Sequence, residues 1–525
     1  MTAMATLLMT ACGAAPAHAQ DREERLRQLE EQLRAVTEEL ETIKEELRRE
    51  REERGAPAAP AVVPDADAAQ GDAIRRAQEE AAAAAAVAAD AKDKATTLEQ
   101  KLEATGLIRS PDGIGFQDPQ GRWAARFSGR IQADYRHFDP DGILADTFSI
   151  RRARLGLQVN FLSDYLFRLE GEFASGSVQT THAYLEADWF KPYAKIRLGQ
   201  SKPQFGLENT MSANFSDFQE RGLPQNLIQT LNYDRGLMID GTPFKGFNYG
   251  IAITNGTGQN TEERQANAGD IKADGKMLTL RATENFAQLI DVPEAVLHVG
   301  GNYKEGSAAN SSTNPYTAAT GQTEARGLTF FTPEAFNGAG VTASNVDREL
   351  IAYELALAYG PVKVQGEYWT VKYSGTRSVP TPVVDYDLKI RSYYVDLMWL
   401  VTGEAYADSY RDGQFGRIRP RNNFDGNNRT WGTWELGLRY SEFDATDFSP
   451  TAPPNAGRLA PTQTAPVTTG TNKATAWTVG LKWLPNAYTR LMLNVVRTKF
   501  DTPVTSAGVT VAEEEAVTFR AQFDF

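Results

Sequence analysis

The feature that most constrains this fold is a two-residue alternation of apolar and polar side chains that recurs from about residue 110 onward. Successive side chains of a β-strand point to opposite faces, so each such segment predicts a strand with one dry and one wet face. In the final segment, AVTFRAQFDF, the dry face carries Val517, Phe519, Ala521, Phe523 and Phe525. The wet face of the same segment carries Thr518, Arg520, Gln522 and Asp524.

The same alternation recurs between loops rich in Gly, Asn, Asp, Ser, Thr and Pro, for example in RWAARFSGRIQADYR, ARLGLQVNF, YLFRLEGEF, MLTLRAT and TWELGLRY. The dry faces also contain Ala and Gly, which a lipid-facing surface tolerates better than a close-packed core. Several strands end in aromatic rings, which suit the boundary between hydrocarbon and water. We therefore predict that residues 110–525 form an all-β transmembrane barrel of about sixteen antiparallel strands. Because a closed barrel leaves no free edge, we expect its last strand to pair with its first.

The composition excludes several other classes of protein. No apolar run reaches about 18 residues, which excludes membrane-spanning helices. The formal net charge of −13 argues against nucleic acid as a partner. The four histidines are scattered, and neither an HExxH nor a GxSxG spacing occurs. We therefore predict no enzyme activity, no metal and no cofactor.

The first residues predict export from the cytoplasm. Residues 1–19 combine a short apolar run with the ending AHA, which is typical of a secretory signal peptide cleaved after Ala19. Acylation of Cys12 is one alternative, and a disordered cytosolic N-terminus is another. Cys12 is the one cysteine of the chain, so an internal disulfide is excluded.

A helical region is predicted to precede the barrel. In residues 20–54, apolar side chains recur at alternating steps of three and four, a heptad seam that predicts a coiled coil. The seam consists of Leu26, Leu29, Leu33, Val36, Leu40, Ile43 and Leu47. Leucine at a with β-branched residues at d favours three or more strands over two, and a lone charged helix is the alternative. Residues 55–72 read as a Pro/Ala linker and residues 73–105 as an Ala-rich helix.

Four stretches resemble the phosphate-selective porins O and P of Gram-negative outer membranes. They are YYVDLMWLVTGEAYADSYRDGQFGRIRP, FSIRRARLGLQVNFLSDYLFRLEGEF, AKIRLGQSKPQFGLE and the ending FRAQFDF, and the resemblance covers most of residues 120–525. It implies a sixteen-stranded barrel that assembles as a homotrimer with one pore per subunit. It also implies that residues 202–235 fold inward and narrow the channel, with Lys202, Arg221 and Arg235 as constriction candidates. The C-terminal Phe525 would be recognised by the barrel assembly machinery.

A porin selects solutes by pore width and by the charges that line the pore. The candidate pore-lining and anion-binding residues are therefore the cations on the wet faces. Arginine suits phosphate and carboxylate because its planar fork can donate two hydrogen bonds and stays charged. Any barrel must also turn its arginines away from lipid, so a purely structural role is the alternative for each. The candidates are Arg126, Arg130, Arg152, Arg154, Arg168, Lys195, Arg197, Arg281, Arg439 and Arg520. The alternation places Arg151 on the dry face, which indicates either a rim position or an error of register.

Together these patterns predict a trimeric outer-membrane porin that passes small anions by passive diffusion, with inorganic phosphate as the favoured solute. The barrel would contact outer-membrane lipid, and the N-terminal region would lie in the periplasm. Three alternatives remain at this point. The barrel could anchor a periplasmic coiled coil that links the outer membrane to the cell wall, or act as a general-diffusion porin without phosphate preference. A secreted, soluble β-rich binding protein is the third.

Overall fold

A computed structural model of the chain describes residues 107–525 except 111–112, 119, 263–274, 311–315, 337–343, 379–382 and 450–466. The predicted signal peptide 1–19, coiled coil 20–54, linker 55–72 and Ala-rich helix 73–105 lie outside the described residues. In the part that is described, no helix is long and apolar enough to cross a bilayer.

The described strands are numbered β1 to β21 in chain order. Sixteen of them follow one another around a closed antiparallel barrel. This confirms the predicted barrel of about sixteen antiparallel strands. They are β3 (Trp123–Asp139), β4 (Thr147–Phe161), β5 (Tyr165–Glu172), β6 (Gln179–Phe190), β7 (Ala194–Ser201), β8 (Asp234–Gly241), β9 (Phe247–Thr254), β10 (Met277–Asn285), β11 (Ala295–Asn310), β12 (Ser344–Tyr359), β13 (Val362–Ser378), β14 (Val383–Leu400), β17 (Thr433–Asp444), β19 (Lys473–Asn486), β20 (Thr489–Ser506) and β21 (Val509–Asp524).

The remaining elements are short. β1 (Leu107–Ser110) and β2 (Gly113–Gln117) form a hairpin on β3, β15 (Tyr410–Arg411) pairs with β16 (Gln414–Phe415), and β18 (Val467–Thr469) pairs with β20. Two four-residue helices, α1 (Leu207–Thr210) and α2 (Phe286–Leu289), lie in connections between strands. Two 3-10 helices span Leu223–Leu231 and Tyr406–Ser409.

The barrel closes between its last and first long strands, as the sequence predicts. β21 pairs with β3 from Glu515 opposite Asp139 to Asp524 opposite Arg130. Gly129 and Phe525 then exchange two backbone hydrogen bonds of 3.0 Å each. The first part of β3, from Ala124 to Phe127, extends past the end of β21. There β2 pairs with the same edge of β3, so the backbone groups of that edge stay hydrogen-bonded.

The burial pattern along the strands is the opposite of that in a water-soluble protein, because apolar side chains are exposed and charged ones are buried. In β21, Val517, Phe519 and Phe523 are 41%, 40% and 47% exposed, whereas Arg520 and Asp524 are fully buried. The apolar side chains therefore face outward and the polar ones face the lumen. An outer surface of this kind suits contact with lipid rather than water.

The two rims of the barrel differ. Most connections at one rim are short, such as 162–164, 191–193, 360–361 and 487–488, and we call this the short-turn rim. At the opposite, long-loop rim, residues 202–233 join β7 to β8. Residues 401–432 are the exception, since this long connection between β14 and β17 begins at the short-turn rim.

Candidate functional site

The lumen is divided into a packed side and a more accessible side. Inward-facing residues on β13, β17 and β20 are buried, as the regular alternation of buried and exposed positions shows. On β4 the inward-facing residues, Arg152, Arg154 and Gln158 among them, are only half-buried. Solvent therefore reaches the lumen most readily along β4, whereas inward-facing Gln132 of β3 and Glu170 of β5 are buried.

The segment 202–233 lies inside the barrel, where it fills much of the packed side. Phe205, Leu207 and Phe218 are almost completely buried there. The backbone amides of Leu207 and Glu208 donate to the two carboxylate oxygens of Glu367 at 2.7 and 2.9 Å. These bonds tie the start of the segment to the opposite wall, because Glu367 belongs to β13.

Two further ion pairs hold the same segment to the wall. Lys363 Nζ donates to both carboxylate oxygens of Asp217 at 2.8 Å. Arg439 Nη2 donates to Glu208 Oε1 at 2.6 Å. All four side chains are at most 4% exposed. A buried pair of this kind is costly to break, since removing one partner leaves an uncompensated charge.

Glu220 is the most heavily bonded carboxylate of the segment. Arg151 donates to it through Nε at 2.7 Å and Nη2 at 3.0 Å. Arg520 and Arg136 add bonds at 2.8 and 3.3 Å. Burial alone would raise the pKa of Glu220, but Arg151, Arg520 and Arg152 outweigh it and hold that pKa well below its usual value. Glu220 is therefore charged and joins the segment to β3, β4 and β21.

Arg151 faces the lumen, contrary to the strict alternation. In the pairing of β3 with β4, Gln132 lies opposite Arg152 and Ala133 opposite Ile150, so Arg151 is the extra residue of a β-bulge. The bulge turns both Arg151 and Arg152 inward. Of the two explanations that the sequence left open for Arg151, a rim position or an error of register, the bulge supports the error of register, since it shifts the phase by one residue.

Seven of the ten candidate cations form ion pairs within the wall. Because these charges are compensated, they offer a passing anion less attraction than a free guanidinium would. The nearest pairs between two wall residues are Arg154–Glu172 (2.8 Å), Arg168–Glu170 (2.9 Å), Lys195–Asp240 (3.6 Å), Arg197–Glu186 (2.6 Å), Arg281–Glu354 (2.7 Å), Arg439–Asp396 (2.7 Å) and Arg520–Asp134 (2.7 Å).

The other three candidates, Arg126, Arg130 and Arg152, have no carboxylate within ion-pair distance in the described ranges. Arg152 Nη1 donates to Gln132 Oε1 at 2.8 Å. Nε of Arg126, and Nε and Nη1 of Arg130, lack any hydrogen-bond partner among the described atoms. We call these three residues the free arginines. They lie on β3 and β4, and the unpaired nitrogens of Arg126 and Arg130 are shielded from solvent.

The predicted constriction candidates occupy two different settings. Lys202 donates to the carbonyl oxygens of Asn209 and Met211, and Arg221 Nε donates to the carbonyl of Glu208 at 2.9 Å. Burial and the nearby Arg221 push the pKa of Lys202 well below its usual value. Arg130 and Arg152 act on this pKa in the same direction, so Lys202 lies close to both, and the lowering favours its neutral form.

Arg235 lies apart from this group. It is the second residue of β8, at the end of the inward segment, and its Nη1 pairs with Glu262 at 2.8 Å.

The cations on the β3–β7 wall form a stepwise series down the barrel. Arg136 lies nearest the long-loop rim, opposite Thr147. Arg151 and Arg152 come next, and Arg130 lies directly opposite Arg154 one step below. Arg126 and Arg168 follow at the next level, since each lies opposite Gln158 in the strand register, Arg126 on β3 and Arg168 on β5. Lys195 and Arg197 lie near the short-turn rim on β7. Positions four apart on one strand are separated by about 13 Å.

Two other segments also enter the lumen, and the sequence did not predict either. In residues 316–336, Thr478 Oγ1 donates to Glu324 Oε2 at 2.6 Å and the amide of Leu328 donates to Glu514 at 2.7 Å. Phe330 and Phe331 of this segment are completely buried. The apolar run GLTFF, which lacks two-residue alternation, was the available signal.

The third segment, residues 404–421, covers the lumen from the short-turn rim. Tyr410 forms a 2.7 Å hydrogen bond with His298, and Arg281 donates to the carbonyl of Gly413 at 2.8 Å. This segment is part of the stretch that carries the strongest family resemblance. Within the described ranges, no cluster of three or more potential metal ligands occurs.

Comparison with known proteins gives matches over the barrel. The family "Phosphate-selective porin O and P" matches residues 126–525. Porin O of Pseudomonas aeruginosa is 24% identical over 417 residues, which cover 75% of this chain and 87% of that protein.

Among solved structures, an anion-selective porin from Comamonas acidovorans aligns over 77% of this chain and 100% of its own, with 14% identity and a TM-score of 0.45. The outer-membrane channel DcaP of Acinetobacter baumannii aligns over 78% of this chain and 99% of its own, with 12% identity and a TM-score of 0.46.

Proposed function

This chain belongs to the phosphate-selective porin O and P family, and from that premise we propose that it forms a trimeric pore for small anions, inorganic phosphate among them. As a member of this family it is an outer-membrane porin and not an enzyme. Passage is by passive diffusion, and the protein contributes pore width and lining charge.

The observation that carries the proposal is the set of free arginines that β3 and β4 turn toward the lumen. Arg126, Arg130 and Arg152 are not neutralised by a described carboxylate. Each guanidinium can donate two parallel hydrogen bonds to an oxyanion. Together with the paired cations above and below them, they offer several weak sites in series, so an anion can step along the wall without being trapped.

The inward segment 202–233 supplies the narrowing of the pore in this proposal. Arg221 and Arg152 line one cavity, and burial together with repulsion from Arg221, Arg130 and Arg152 accounts for the lowered pKa of Lys202. An anion that passes between the segment and the β3–β4 wall would offset this repulsion. Arg235 would act at the rim rather than at the narrowing.

We propose that residues 20–105 lie in the periplasm. Leu107 pairs with Phe116, and Phe116 pairs with Ala125 near the start of β3, so the chain enters the barrel at the short-turn rim. In outer-membrane barrels the short turns face the periplasm. A three-stranded coiled coil in residues 20–54 would support the trimer, and Phe525 near the short-turn rim would be available to the assembly machinery.

The test of anion selectivity is the reversal potential of the purified full-length protein in a planar bilayer under a chloride gradient. We expect a preference for chloride, which falls at least by half in the double variant Arg126→Gln/Arg130→Gln. Arg497→Gln serves as the matched control, because Arg497 lies in an exposed ion pair with Glu513 and its loss should leave selectivity unchanged. A cation-preferring wild-type pore contradicts the proposal.

The same recordings separate the alternative functions. At equal concentration, added phosphate should reduce the chloride current more than added sulfate does. A general-diffusion porin would show the same reduction with both anions. A barrel that inserts but passes no current would favour the membrane-anchor function, since three segments already occupy part of the lumen.

A further inference from the structure

A cavity of about 320 Å³ lies between the two inward segments from the long-loop rim and the β4 wall. A solute that enters from the long-loop side meets it above Arg130 and Arg126. Cavities that hold organic ligands measure about 300–1,000 Å³. An orthophosphate ion would leave much of this space to water, so the cavity has room for a larger anion.

The charge of the cavity is positive. Four arginines line it: Arg151, Arg152, Arg221 and Arg326. Its two carboxylates are already engaged, since Glu220 accepts bonds from three arginines and Glu324 from Ser441 and Thr478. The cavity therefore suits a ligand that carries a phosphate group.

The rest of the lining is rich in carboxamides rather than apolar groups. Gln225, Asn226, Asn232 and Gln322 line it, whereas Leu223 is the single large apolar residue among the described lining residues. The side-chain amides of Asn226 and Gln322 donate to the carbonyls of Gln322 and Gly327 at 2.9 and 3.3 Å, which leaves the side-chain oxygen of Gln322 as an acceptor. A carboxamide can both donate and accept hydrogen bonds, as a hydroxyl group does. Apolar or aromatic organic anions would find little complementary surface here.

Asn232 adds a more specific signal. Its Oδ1 atom is shielded from solvent and has no hydrogen-bond partner in the described chain. A shielded acceptor without a donor is destabilising, and a ligand hydroxyl would supply the missing donor. A phosphorylated polyol brings several hydroxyl donors in addition to its phosphate group.

We infer that this cavity binds small phosphorylated polyols, such as sugar phosphates, and selects them as they enter the pore. The arginines hold the phosphate, and the carboxamides of Gln225, Asn232 and Gln322 bond to the hydroxyl groups. The inference rests on the proposed function, because it names a solute class for the same anion-conducting pore.

The test measures the concentration of solute that halves the chloride conductance of the full-length protein in planar bilayers at about pH 8, where a phosphate monoester is mainly doubly charged. Glucose 6-phosphate, orthophosphate and uncharged glucose are compared. We expect glucose 6-phosphate to act at a lower concentration than orthophosphate, and glucose to have no effect.

The double variant Gln225→Ala/Gln322→Ala should raise the half-blocking concentration of glucose 6-phosphate about tenfold, the loss of two hydrogen bonds. It should shift the value for orthophosphate by less than about twofold. Gln288→Ala, in the turn at the short-turn rim, is the matched control and should change neither value.

Equal potency of the two phosphates in the wild type, or an equal shift of both in the double variant, overturns the inference. A cation-selective reversal potential would instead overturn the proposed function itself. If the double variant fails to insert, the half-blocking concentrations of glucose 6-phosphate and orthophosphate in the wild type still test the inference.

Discussion

The clearest test of how the pore is narrowed is the substitution Glu220→Gln. Glu220 accepts four hydrogen bonds from three arginines, at 2.7, 3.0, 2.8 and 3.3 Å. Its side chain is only 12% exposed, and that of Arg520 is fully buried. Removing its charge should therefore loosen the segment 202–233 from the barrel wall.

The cost can be worked out from the partners that remain. Arg520 and Arg136 still bond to Asp134 in the variant, at 2.7 Å or slightly more. Arg151 has no other described carboxylate partner. Removing one partner of a buried pair costs about 3–5 kcal/mol. Because glutamine keeps one acceptor oxygen, we expect about 3 kcal/mol, the low end of that range.

Limited proteolysis with trypsin measures this local stability, since Lys202 and Arg221 lie in the segment. A loss of about 3 kcal/mol raises the population of the detached segment, and thus the cleavage rate, about a hundredfold. The control is Glu513→Gln, whose partner Arg497 is 48% exposed. An exposed pair contributes less than about 1 kcal/mol, so cleavage should change little. Equal cleavage of wild type and Glu220→Gln in lipid vesicles would refute the reasoning.

The pH dependence follows from the same contacts. The pKa of Glu220 in the folded protein lies well below its usual value of 4.5. Its stabilisation is therefore fully present above that value and is lost as the pH falls through the lowered pKa. The difference between wild type and Glu220→Gln should stay constant from neutral pH down to about pH 5 and shrink only in stronger acid.

Three further substitutions probe the barrel, each measured by urea unfolding in lipid vesicles. Val479→Arg should cost about 2–4 kcal/mol because this outward side chain, 55% exposed, would meet lipid; in a water-soluble protein the same change would be nearly neutral. Lys363→Met should cost about 3–5 kcal/mol by leaving Asp217 buried without its partner, and adding Asp217→Asn should recover part of that loss. Gly199→Ala should be strongly destabilising, because the φ angle of Gly199 is +132° and the new Cβ would lie 2.3 Å from a backbone oxygen of β6. Gly301→Ala is the matched control and should be tolerated, since its Cβ would meet nothing within 4 Å.

The wall of the barrel was predictable because its signal is local. Successive side chains in a strand point to opposite faces, so the face of each residue can be read from the alternation in its own segment. Trp123, Phe127 and Ile131 are all exposed on the outer surface, as the alternation in RWAARFSGRIQADYR indicates. The pairing of β21 with β3 follows from the requirement that every backbone group in a membrane be bonded.

The candidate site was predictable only as a set of inward-facing cations. For some of them, whether the charge is paired depends on partners far away in the chain. Arg520 is paired with Asp134 and Arg439 with Asp396, so neither is available in the way that Arg130 is. No pattern within one strand records such a pairing. The position of Arg151 shows the same limit, because a single bulge reverses the expected face.

For this protein the order of residues along the chain was sufficient to define a closed wall with an apolar outside and a polar inside, because strand geometry converts a period of two directly into two faces. The contents of the lumen depended on contacts between residues hundreds of positions apart. Segments 202–233, 316–336 and 404–421 enter the barrel because their buried apolar side chains and ion pairs find partners on several strands at once. Those partners come together only when the barrel has closed.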